Sequence, residues 1–319
     1  MDMTRIQSLL LAALAVFFLA FSAPALAQPG NPGYSEEDAL YLKTMEDTLA
    51  LLAYAIVNDS MQEMRFAATQ KFIPSLVQAL KVPNSFAHPF KRLQTISIQY
   101  PADSSFRVFT WQLYVDENDY RYYGAIQMNS PELKLFPLID RSGEMPLLTE
   151  QEILKPERWY GSLCYRLYQF DAPEGRHYLY FGFDAKEFYS RRKLMDVLYF
   201  EQGEPRFGAP VFVDSLQGGG VHTRNRIILD YYAEASVKLS YDDALGMVIF
   251  DNLIDIPGPE GPIRVPDGSY VGYQLGQGRW VRIEKVFDHV YETAPRPEPV
   301  LDARKDRDIL GKEAKKKRN

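Results

Sequence analysis

The sequence predicts an α+β protein, with an amino-terminal helical hairpin followed by a mostly antiparallel β-rich region of sandwich or barrel type. Three observations predict it. Between residues 35 and 82, apolar side chains recur at intervals of three and four, the period of one buried helical face. Beyond Pro89 the apolar period falls to two, as in half-buried strands. The connections between successive strand-like runs are short and rich in turn residues. Such connections favour antiparallel neighbours, because parallel pairs need long crossovers. Aromatic residues make up 13% of the 319, mostly 21 Tyr and 19 Phe, and amphipathic rings suit half-buried strands.

Residues 1–27 read as a cleavable signal peptide. Arg5 supplies a basic start, and Leu9 to Phe21 is an uncharged apolar run of 13 residues. Ser22 and Pro24 then break the helix, and Ala25-Leu26-Ala27 places small residues two apart before Gln28. A membrane span needs roughly 20 apolar residues, so this run is too short for an anchor. No Cys follows it, which excludes a lipoprotein anchor. The mature chain is expected to be soluble, with no transmembrane span, in the periplasm or outside the cell. Removing the leader takes away Asp2 and Arg5, so the net charge of −6 is unchanged. That mild acidity argues against a nucleic-acid partner. The single Cys, Cys164, cannot form an internal disulfide, and the core alone must hold the fold.

Residues 28–34 form a Pro- and Gly-rich linker, and the globular region is expected over 35–293. Ser35 with Asp38 makes a capping-box start. Leu42, Met45, Leu49, Leu52 and Ile56 follow as one apolar stripe, closed by Asn58-Asp59. Ser60 with Glu63 predicts a second box. Met61, Met64, Ala68 and Phe72 continue the stripe until Pro74, where a kink or restart is expected. Pro83 ends the hairpin.

The β-rich region spans 90–293. Ile96, Ile98 and Tyr100 alternate with polar residues, as do Phe109, Trp111, Leu113 and Val115. Asp116 to Asp119 is a polar turn, and Tyr120 to Met128 returns as the partner strand, making the clearest hairpin in the chain. Trp111 is expected to be buried with Phe109, Leu113 and Ile126. Further strands are read at 163–170, 177–183, 197–201, 211–213, 227–232, 235–241, 247–251, 270–275 and 280–287. Single helical turns fit Thr149 to Leu154 and Ala185 to Ser190. Residues 294–319 lose periodicity: Pro295, Pro297 and Pro299 make an extended spacer. Lys312, Lys315, Lys316, Lys317 and Arg318 then face one acid, Glu313. Such a block does not pack, and it reads as a disordered, solvated tail able at most to make weak electrostatic contact with anionic lipid or envelope polymer.

No catalytic residue, metal set or cofactor motif stands out. His88, His177, His222 and His289 lie far apart, with no ligand spacing, so surface or half-buried roles are expected. Gly-x-Ser-x-Gly is absent, and Gly268-Ser269 belongs to a turn. Cys164 falls inside a strand, where it reads as a small buried hydrophobe. Gly218-Gly219-Gly220 with His222, Arg224 and Arg226 offers backbone N–H groups beside bases, as an anion site would. It lacks the Lys-Ser/Thr pair and the following helix of a P-loop. Asp116, Glu117 and Asn118 resemble a calcium loop but fail its spacing.

Phe106 to Leu113, Tyr120 to Gln127, Trp159-Tyr160-Gly161 and Phe207 to Phe212 carry a resemblance. These stretches are similar to a family of uncharacterised exported proteins from Bacteroidota, over about Phe86 to Tyr273. The resemblance implies source and compartment and transfers no activity. With no acid/base, metal or nucleophile signature and a large aromatic-rich β surface, the expected function is a non-enzymatic envelope protein that binds a protein or glycan partner. The alternative is a glycosidase-like hydrolase, whose two carboxylates, roughly 5–10 Å apart, meet only in three dimensions.

Overall fold

A computed structural model describes residues 33–145, 150–215, 218–258 and 261–287. Residues 1–27, read above as a signal peptide, most of the 28–34 segment, His289 and residues 294–319 lie outside the described residues. The chain divides into two bodies. The first comprises residues 33–116, 120–140 and 156–164, and the second comprises 117–119, 141–155 and 165 onward. Strands are mostly antiparallel, with two helices near the amino terminus, as an α+β class requires.

In the first body, helix α1 (Glu36–Asn58) starts on the expected box. The Asp38 N–H donates to Ser35 Oγ at 3.1 Å, and the Ser35 N–H donates to Asp38 Oδ2. Helix α2 (Gln62–Leu80) differs from expectation at its start. Its N-cap is Met61, and Asp59 Oδ1 accepts the Met61 N–H at 2.9 Å, so the Ser60–Glu63 box is not the cap. Pro74 lies inside α2 without ending it. Proline forfeits one helical bond and crowds the preceding turn, but Phe72, Leu76, Ala79 and Leu80 are buried on both sides of it, and that packing keeps the helix continuous. The apolar stripe also shifts: Met61 and Met64 are exposed, and buried Arg65 takes the place expected for them. Arg65 donates to the carbonyls of Tyr114, Asp59 and Val115.

These helices cover a four-stranded antiparallel sheet, β1 (Ser97–Gln99), β2 (Phe106–Asp116), β3 (Asp119–Met128) and β4 (Leu135–Ile139), in sequential order. Trp111 is buried between helix and sheet, edge-on to Phe72 at 5.1 Å and stacked on Tyr123 at 5.7 Å. Phe109 and Leu113 share its core. Ile126 is buried outside that cluster, because it alternates with Tyr123 across β3. Strand β4 carries Pro137, which the sheet tolerates because β4 is an edge. Asp140 accepts the N–H groups of Tyr122 and Gly161, each at 3.2 Å. A Cβ at Gly161 would sit 2.2 Å from the Asp140 carboxyl carbon, so only glycine fits there.

In the second body one sheet holds β5 (Leu163–Ala172, from Tyr165 on), β6 (Gly175–Glu187), β7 (Ser190–Glu201) and β11 (Ile227–Tyr232), in the order β11-β7-β6-β5. Strand β8 (Glu204–Phe207) pairs with β7. A six-stranded sheet holds β9 (Phe212–Ser215), β10 (Val221–Arg224), β12 (Leu239–Asp242), β13 (Met247–Gly258), β14 (Gly261–Gly276) and β15 (Arg279–Ile283). Its order is β10-β9-β15-β14-β13-β12, and only β9 and β15 run parallel. One core draws on both sheets: Phe181, Met195, Val197 and Ile227 from the first, Phe212, Val248, Phe250 and Trp280 from the second. Ala185 to Ser190, expected as a helical turn, is the β6–β7 hairpin, and Leu154 forms an isolated bridge with Phe207. Backbone pairing overrode a weak local helix signal at Ala185 to Ser190, whereas Glu150 and Gln151 keep a 3-10 turn ahead of the Leu154 bridge. No helix among the described residues is long and apolar enough to cross a membrane.

Candidate functional site

Among the described residues, the side chains singled out by sequence do not gather into one site within either body. His88 Nε2 lies 2.8 Å from Glu46 Oε2 in the first body. His177, in the second, is stacked on Tyr199 and tilted against Phe170, with Nδ1 2.8 Å from the Gly175 carbonyl. His222 is exposed on β10, 3.5 Å from Gln151. Cys164 is buried completely; its N–H donates to Thr110 Oγ1 and its carbonyl accepts from Ser97. Asn118 Oδ1 accepts the Phe188 N–H, in keeping with a hairpin turn rather than a calcium loop. No group of three or more His, Cys, Asp or Glu among the described residues is placed to hold a metal ion.

Gly218 and Gly219 adopt positive φ, as the loop reading requires. The two arginines that made this loop resemble an anion site are engaged elsewhere. Arg224 bonds Asp214 Oδ2 at 2.7 Å and the Tyr273 hydroxyl at 2.8 Å, and lies 3.5 Å from Glu150. Arg226 is fully buried and bonds Asp196 Oδ2 at 3.0 Å and the Phe207 carbonyl at 3.1 Å. Gly208 makes room for it, since a Cβ there would meet Arg226 at 2.6 Å. Asp184 and Asp230 both flank Arg192, at 3.6 and 2.7 Å. Each of these five buried or half-buried carboxylates thus faces an arginine, the arrangement of structural ion pairs.

A pocket does form in the second body, from residues that belong to no recognised motif. In β7, Met195 and Val197 point into the core, and strict alternation carries Lys193 to the same face. The cross-strand register places Phe183 of β6 and Leu229 of β11 on either side of Lys193. Tyr231 stands two residues beyond Leu229, and Tyr165 comes from β5. The segment from Glu234 to Val237, which leads into β12, forms the facing wall. Tyr165, Phe183, Lys193, Tyr231 and the 234–237 segment line an open pocket of about 490 Å³, within the usual range for small-ligand sites.

Lys193 Nζ donates to the Val237 carbonyl at 2.6 Å and lies 5.8 Å from the centre of the Tyr165 ring. The Tyr165 hydroxyl donates to the Leu239 carbonyl at 2.7 Å, which fixes that wall. Burial pulls the Lys193 ammonium below the ordinary lysine range, with the Asp251 carboxylate opposing. Burial also pushes Asp251 up, against the Lys238 N–H bond and the charges of Lys193 and Lys238, and it pushes the Tyr231 phenol up. The side chains of Glu234 and Ser236 make no hydrogen bond or ion pair among the described residues, so their capacity is open to a ligand. No sequence signal marks this site, because Ser190 to Lys193 is polar like a loop and becomes strand only through its pairing with β6 and β11.

No protein-family model matches the chain, and no curated protein or solved structure matches it either.

Proposed function

We propose that this is an exported, non-enzymatic binding protein of the Bacteroidota type, and that its pocket takes a glycan. The second body is read as a sandwich whose two sheets close over one core, with the pocket where that core meets solvent. One observation carries the proposal. Three rings, Tyr165, Phe183 and Tyr231, share the pocket with Lys193 and with the unbonded side chains of Glu234 and Ser236. Sugar rings offer an apolar face to aromatic side chains and hydroxyls to polar ones, and both kinds of group are present.

Isothermal titration of the mature chain against a panel of oligosaccharides tests this. Saturable binding to at least one glycan is expected, and Tyr231→Ala should weaken it about tenfold, the equivalent of ~1.4 kcal/mol. The absence of binding across the panel, or binding indifferent to both Tyr231→Ala and Tyr165→Ala, overturns the reading. For export, mass spectrometry of protein from its native envelope should find Gln28, or its cyclised form, at the amino terminus.

A further inference from the structure

We propose that Lys193 is a reactive amine that captures a carbonyl-bearing ligand, an aldehyde or ketone, as an imine within the pocket. This goes beyond the glycan reading and does not depend on it, although the open-chain form of a reducing sugar is one aldehyde of the class. An amine attacks a carbonyl only when unprotonated, and a lysine becomes nucleophilic when its surroundings withdraw water from the charged form. Lys193 occupies a strand position whose same-face neighbours, Met195 and Val197, are fully buried core residues. Its amine opens on a pocket walled by three rings, which would hold the apolar body of a ligand. Its bond to the Val237 carbonyl, at 2.6 Å, fixes where the nitrogen sits. Burial lowering its pKa points the same way.

The charged and titratable groups facing this amine are Asp251 from β13, Glu234 from the facing wall, Tyr165 from β5 and Tyr231 from β11, while β6 presents only Phe183. The step needs no oxidant or reductant. The Nζ lone pair attacks the carbonyl carbon, and the carbonyl electron pair moves to oxygen, which takes up a proton. The resulting carbinolamine loses that oxygen as water while nitrogen gives up its remaining proton, so that aldehyde plus amine yields imine plus water. Glu234 lines the pocket with its carboxylate unpaired among the described residues, and is the group available to relay these protons.

The competing view is that Lys193 only pins the 234–237 wall through the Val237 carbonyl. Reductive trapping separates the two. The full mature chain is incubated at neutral pH with 4-hydroxybenzaldehyde and cyanoborohydride, and modified lysines are mapped by mass spectrometry. Lys193 should be converted several-fold faster than exposed Lys71 and Lys81. Lys193→Arg should abolish that fast phase and leave the slow ones unchanged. Labelling of Lys193 no faster than of Lys71 overturns the proposal on the parent protein alone, whether or not the variant folds. Glycan titration of the same samples keeps the two readings apart. Selective labelling without glycan binding sinks only the glycan, and glycan binding with unselective labelling sinks only the reactive amine.

Discussion

Each body buries one arginine completely, and the two accommodate it in opposite ways. In the first, Arg107 of β2 has only uncharged partners: Gln127 Oε1 at 2.8 Å, the His88 and Ser85 carbonyls at 2.5 and 3.1 Å, and the Tyr100 hydroxyl at 2.9 Å. The rings of Phe109, Phe90, Phe86 and Tyr100 surround its guanidinium, with centres 4.8 to 5.9 Å away. In the second, Arg226 faces the buried carboxylate of Asp196. Burial drives Asp196 up from its ordinary range, while the charge and hydrogen bond of Arg226 oppose that shift. Burial likewise pulls Arg107 down, with Tyr100 opposing. The difference is in what deletion leaves behind. Without Arg107, neutral acceptors lose a donor. Without Arg226, a carboxylate is stranded in the core, and stranded charge is the costlier defect.

The steepest losses are expected at one position in each body. Trp111→Ala should lower stability by about 3–5 kcal/mol, because Phe72 and Tyr123 cannot refill the space. Urea denaturation gives that value, and a loss below about 1 kcal/mol would place Trp111 on a surface instead. Arg226→Met should also cost about 3–5 kcal/mol at neutral pH. That deficit should shrink in acid, where the stranded Asp196 protonates, and a pH-independent deficit would contradict the ion-pair account. Arg107→Met sharpens the contrast: about 1–3 kcal/mol is expected, mostly from the unpaired carbonyls, with little pH dependence. Should it equal Arg226→Met in size and pH response, the two sites are alike and the comparison fails.

The smallest effect concerns Asp230. Burial raises its pKa, but the hydrogen bond and charge of Arg192, helped by Lys186, outweigh this and hold it below the ordinary aspartate range. A lowered folded-state pKa contributes stability above the unfolded value that is lost as pH falls through the folded one. Asp230→Asn should therefore flatten the acid limb of a plot of melting temperature against pH. Asp196, shifted the other way, contributes fully below its unfolded value and loses that share as pH rises through its folded one.

The helical hairpin was the most legible part of the sequence, because its caps and period are local. Ser35–Asp38 and the Leu42, Leu49, Ile56 stripe appear as read. Arg65 misled, since a buried arginine satisfied by carbonyls of a distant strand has no local signature. In the β region, runs such as 177–183 and 227–232 were plain, but the first half of β7 was not. Ser190-Arg191-Arg192-Lys193 is polar like a loop, and becomes strand through β6 and β11 on its two sides. The distal β13–β14 ribbon hid behind Pro257, Pro262 and Pro266, residues that usually punctuate turns. The pocket was illegible for the same reason as β7. Its rings look like core residues until the register shows Lys193 beside Phe183.

The parallel pairing of β9 with β15 also sets an order of assembly. Trp280 must reach Phe212 to join β9 and β10 to the rest of their sheet, since β15 stands between β9 and β14. The β13–β14 hairpin is local and can zip within microseconds of its synthesis. The β9–β10 hairpin, although made earlier, has to wait with an open edge until the last described strand exists. An incomplete chain of this protein is therefore an adhesive one. Holding it unfolded until Arg279–Ile283 has been made would protect it from other copies of itself.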